Sequence, residues 1–121
     1  MLNWYILDEL RNPVPLGGSF MSMLLRWAEW ADANRGAIRV ALTKIGPFTV
    51  STIFMGMDHS YKPDLDTPPL LFETMVFCAD PDNPDRFGER GEMRRCSTWA
   101  QAEEQHALMV SFLEKVAQEI K

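Results

Sequence analysis

The chain has 121 residues, 46% of them hydrophobic and 24% charged, with a formal net charge of −5. That length holds one hydrophobic core, so residues 1–121 read as a single folded domain, not as disordered chain or as two units. The dispersed basic residues argue against a nucleic-acid partner, and no apolar run approaches the length of a membrane span.

The opening stretch "MLNWYILDE" has no basic n-region and reaches acid within eight residues, unlike a signal peptide. Cys78 and Cys96 lack metal-type spacing and read as reduced core thiols, which suits a cytoplasmic protein. Residues 3–9 are aromatic and branched and predict a short strand; "RNPVPLGG", with two prolines and two glycines, predicts a turn or loop. Ser19 offers an N-cap to a helix through residue 35, whose apolar side carries Phe20, Met23, Leu24, Trp27, Trp30 and Ala31. Gly36 stands where a left-handed C-cap is expected.

Two strand-like runs, "AIRVALTKI" and "FTVSTIFMGMDH", flank Gly46-Pro47 and predict a hairpin. A loop rich in proline and aspartate precedes a further strand, "LLFETMVFC". Residues 79–91 are polar and full of breakers and predict an exposed acidic loop, after which "EMRRCS" is a shorter strand. Thr98 and Gln101 form a capping box for a C-terminal helix. Its positions 102, 106, 109, 113, 116 and 120 step by four and three into one buried stripe. The predicted order is β-α-β-β-β-β-α. The class is α+β, with two helices on a mostly antiparallel sheet of four to five strands.

Alternation along the two central strands carries further. In "VSTIFMGMDH" one parity holds Val50 and Phe54, and the other holds Ile53, Met55 and Met57. In "LLFETMVFC" one holds Leu71, Met75 and Phe77, and the other Phe72, Val76 and Cys78. A half-exposed antiparallel sheet alternates apolar with polar, so both faces are expected to be covered. Two helices on opposite faces would do this; so would helices on one face and a homodimer interface on the other.

Four residues stand out chemically, with Arg94 as a candidate partner of one of them. Asp58 and His59 lie at a strand exit, where alternation points them to opposite faces; the plain reading is an Asx-type turn beside a rim histidine. Glu73 shares its face with Leu71, Met75 and Phe77, so it needs an ion pair with Arg94 or Arg95, or a hydrogen bond from Thr52 or Thr74. Failing those, it is a general base or ligand with a raised pKa. His106 sits on the buried helical stripe as a core histidine. His59, Glu73 and His106, with Asp58, are nonetheless donors that a Zn²⁺ or Mn²⁺ site would use, though none has local metal spacing. No nucleophile elbow and no phosphate loop is present in the sequence.

The runs "VSTIFMGMDHS", "PPLLFETMVF" and "STWAQAEEQH" resemble a family of small, functionally uncharacterised proteins of bacteria, prophages and tailed phages. Its pattern is VSTxFLGxDH, then PPLLFETMVF, then S-T ahead of a helix with AxxxH. Met55 replaces the more usual leucine, and the acidic loop 79–91 departs from the glycine-rich turn of the pattern. The resemblance implies a phage- or prophage-type accessory protein in the cytoplasm of a bacterial host, and brings no activity or cofactor with it. From the residues, two functional expectations follow. One is binding of a protein partner or a second copy through the sheet face, or through the rim formed by residues 58–69 and 79–91, where the acidic loop suits a basic partner. The alternative is a small metal-dependent or ligand-binding enzyme with a pocket near His59, Glu73 and His106. An acidic mimic of DNA ranks below both, because the acids are spread along the chain.

Overall fold

The computed structural model describes residues 3–58, 68–80, 83–87 and 93–119. The first elements form a small two-stranded sheet, β1 (Tyr5–Leu7) with β2 (Pro13–Pro15). The "PVP" stretch predicted as loop is therefore a strand. Proline is tolerated at a sheet edge, where its missing N–H is not needed for pairing. Asp8 closes the turn between them, its Oδ1 accepting from the N–H groups of Leu10 and Asn12. The Arg11 guanidinium then lies 4.5 Å from the Trp99 ring centroid, attaching the turn to the C-terminal helix.

Helix α1 (Phe20–Ala33) starts on Ser19, whose hydroxyl accepts from the Ser22 N–H at 3.2 Å. It ends at Asn34, and a single turn, α2 (Arg35–Ile38), follows. Gly36 thus lies inside a second short helix instead of capping the first, and asparagine takes the terminal position.

Strands β3 (Arg39–Ile45) and β4 (Phe48–Phe54) form the predicted hairpin, with Gly46 at φ 57° in the turn. Strand β5 (Phe72–Asp80) pairs antiparallel with β4 along its length, from Phe54↔Phe72 to Phe48↔Cys78. The stretch expected as a plain loop contains β6 (Asn83–Phe87), which pairs with the end of β5. β7 (Met93–Cys96) pairs with the beginning of β5. The resulting sheet is five-stranded and antiparallel, in the order β3-β4-β5-β6 with β7 beside β5. Helix α3 (Trp99–Glu119) starts on the predicted capping box: Gln101 N–H donates to Thr98 Oγ1, and Thr98 N–H to Gln101 Oε1. The fold is α+β with open sheets, as the sequence pattern predicted.

The helices share one side of the sheet. Phe54 and Phe72 pack with Leu7, Leu71, Cys96 and Ala102, and Trp30 of α1 meets Phe54 edge-on at 5.8 Å. Val50 and Val76 pack with Met109 and Leu113 of α3. The N-terminal sheet, α1 and α3 therefore bury the face carrying Val50, Thr52 and Phe54. One glycine fixes how close α1 comes. Gly56 has φ 81°, and a Cβ there would overlap the Trp27 indole.

Candidate functional site

Register divides the candidate residues between two faces. Thr74, on the helix-covered face, pairs with Thr52 across the β4–β5 ladder, and the two hydroxyls lie 2.8 Å apart. His106 reaches down from α3 between them and β3. Its Nδ1 is 2.8 Å from Thr52 Oγ1, and its Nε2 is 2.8 Å from Thr43 Oγ1. Thr52, Thr74 and His106 are all buried. The chain Thr43–His106–Thr52–Thr74 is satisfied by a neutral imidazole in either tautomer, with the hydroxyl protons running one way or the other. Burial pushes the His106 pKa below its ordinary value. A buried, neutral and doubly bonded imidazole fixes the seating of α3 on three strands. It presents no free nitrogen to a substrate or metal.

Glu73 lies on the opposite face. Its cross-strand partner is Arg95, whose Nε donates to Glu73 Oε2 at 3.1 Å. Of the two arginines proposed from sequence, Arg95 makes this bond; Arg94 projects from the other face, beside α3. Neither Thr52 nor Thr74 serves Glu73, since both hydroxyls lie on the helix side with His106. Glu73 and His106 therefore do not converge, and the sheet itself separates them. The shared pocket expected near His59, Glu73 and His106 is not formed by these two. His59 lies outside the described residues.

Asp58 has a definite structural role. Its Oδ1 accepts from the Leu70 N–H at 2.9 Å, holding together the two ends of the chain segment between them. That bond spans twelve residues of sequence; the Asx-type turn expected here involves residues that lie outside the described ones. The Asp58 charge also helps to raise the pKa of Tyr5, after the larger effect of burial. Among the described residues, no group of three or more His, Cys, Asp or Glu side chains is placed to hold a metal ion. Cys78 and Cys96 are not joined in a disulfide, and burial raises the Cys96 pKa, away from thiolate reactivity.

What the face opposite the described helices offers is area. By register, Leu42, Ser51, Met75 and Met93 form one row across β3, β4, β5 and β7; Ile53, Glu73 and Arg95 form the next, and Lys44, Thr49 and Phe77 a third. Leu42 is 53% exposed and Met93 45%, and no described helix packs on this side. The apolar parity of β4 and β5 pointed to this surface in the sequence. The Thr43–His106–Thr52–Thr74 chain was missed there, although Thr52 and Thr74 share the parity of buried residues and His106 lies on the buried stripe. Comparisons with protein-family models, curated proteins and solved structures returned no match.

Proposed function

We propose that this chain is a non-enzymatic binding protein, an accessory factor of the phage or prophage type acting in a bacterial cytoplasm. Its working surface is the sheet face centred on Met75, which takes a partner protein or a second copy of the chain. The observation that carries this reading is the placement of the helices: α1 and α3 cover one face, and Leu42, Ile53, Met75 and Met93 lie on the other, where no described helix packs. Methionine and branched residues on an open sheet adapt to a partner surface. The Glu73–Arg95 pair within the patch supplies fixed polar geometry for specificity more than affinity. Among the described residues no helix is long and apolar enough to cross a membrane.

The enzyme reading is weaker on two counts. Glu73 is bound to an arginine on one face, and His106 is bound to hydroxyls on the other. The test is a Leu42→Lys/Met93→Lys variant, changed only at exposed side chains, compared with the wild type by light scattering and by affinity capture from host cells. Wild-type protein that dimerises or retains a partner, and a folded variant that does neither, is the expected outcome. Equal behaviour of the two proteins would remove the sheet face as the binding surface.

A further inference from the structure

Strand β3 lies at one edge of the sheet, where it pairs with β4 alone among the described strands. The outward backbone groups of residues 40–45 meet no other described backbone group. This edge therefore keeps a row of donors and acceptors that a further strand could use. A bulge between Arg39 and Ala41 decides which side chains border it. Across the ladder Arg39 stands against Ile53, Leu42 against Ser51 and Lys44 against Thr49, alternate positions of β4. An unbroken strand would set Arg39 on the same side as Thr43, which faces His106 under the helices.

The extra residue re-aims Arg39 to the opposite face. That face thus carries a row of cation, apolar residue and cation along its β3 edge. All three side chains are exposed, Leu42 to 53%. The Arg39 guanidinium and the Lys44 ammonium have no ion-pair or hydrogen-bond partner among the described residues. Glu73, the acid in the described rows of this face, is already bound to Arg95. The chain as a whole carries a net charge of −5, so the strip reverses the charge of the molecule around it.

We infer that β3 takes an extended acidic segment of a partner protein, added as a further strand with the pattern acid-x-apolar-x-acid. Its carboxylates lie beside Arg39 and Lys44 and its apolar side chain beside Leu42, at the alternate spacing that the bulge creates. The inference rests on the reading of this sheet face as the binding surface, and names what the face binds. Charge sets this occupant above a second copy of the chain. An antiparallel β3 pair centred on Leu42 places Lys44 of each copy opposite Val40 of the other, next to Arg39. Both cations of one copy then crowd both of the other, which opposes pairing. An acidic strand meets the same cations with opposite charge.

The probe is a displayed library of random nonapeptides, selected on the wild type and counter-selected on Arg39→Glu/Lys44→Glu, changed at exposed side chains. Enriched sequences should carry Asp or Glu on either side of an apolar residue at alternate positions. A synthetic peptide of the winning sequence should lose about tenfold or more in affinity on Arg39→Glu and on Lys44→Glu, and less on the corresponding Gln variants. Its affinity should fall with added salt, with N-methylation of its alternate amides, and on Leu42→Ser. Amide NMR shifts should concentrate along β3. No enrichment, indifference to N-methylation, or shifts centred elsewhere would overturn the inference. So would a wild-type dimer that Arg39→Glu/Lys44→Glu dissociates, because the edge would then belong to a second copy. Peptides without acid that ignore both charge reversals yet are lost on Leu42→Ser would overturn the acidic strand and leave the sheet face standing. Peptides that ignore Leu42→Ser as well would count against the face itself.

Discussion

The imidazole of His106 meets a threonine hydroxyl on each nitrogen, with partners 54 and 63 residues away in sequence. That separation is why the network was not legible beforehand: burial of each residue could be read from strand parity and helix period, but their meeting depends on how α3 is seated. Glu73 was the more legible residue. An acid on an apolar strand face requires a partner, and Arg95 in the cross-strand position supplies it. The His106 arrangement has a pH consequence with a definite sign. Its folded pKa lies below the unfolded value near 6.5, so between the two values the unfolded chain binds more protons. The stability that His106 contributes is complete above pH of about 6.5 and is lost as the pH falls toward the lower folded value. Urea unfolding should show His106→Phe to be less stable than wild type at pH 7.5 by about 1–3 kcal/mol, the cost of leaving buried hydroxyls without partners. The gap should narrow at pH 5.5. A gap that widens on acidification would mean that His106 is charged in the folded protein.

Among the elements, those with local signals were legible and those set by contact were not. The capping box of α3 and the Gly46 turn are written in adjacent residues, and both formed as predicted. The β1–β2 pair was missed because prolines mask an edge strand. β6 was missed because its composition is that of a loop; its pairing with β5 supplies what local propensity does not. The end of α1 shifted for a similar reason, Asn34 terminating the helix before Gly36. The junction between α1 and the sheet rests on Gly56, which combines positive φ with direct contact from Trp27. Gly56→Ala should cost about 2 kcal/mol or more through strain and displacement of the indole, visible as a lower Tm and a shift in tryptophan emission. Replacing Trp27 with leucine in the same chain should recover part of the loss. Full stability of Gly56→Ala alone would show that the helix is not seated against this glycine.

For the whole molecule, the decisive feature is asymmetry. Strand parity in the sequence showed that both faces of the central strands are apolar, and it left open whether helices cover both. The structure puts the N-terminal sheet, α1 and α3 together on one side, so the apolar residues of the other side face no described helix. An uncovered apolar sheet face is a common mark of an interaction surface. The same placement separates Glu73 from His106 and takes away the convergence that an active site at those residues requires.

The central claim, that the sheet face opposite the described helices is where this protein binds, is tested most directly by photo-crosslinking in host cells. A benzophenone amino acid would be placed at Leu42, on the open face, and in a separate protein at Glu103, on the exposed side of α3. A discrete adduct from position 42, either a dimer or a complex with one partner, and none from position 103 is the predicted result. Protein that is folded and abundant yet yields no adduct from position 42 would contradict the account.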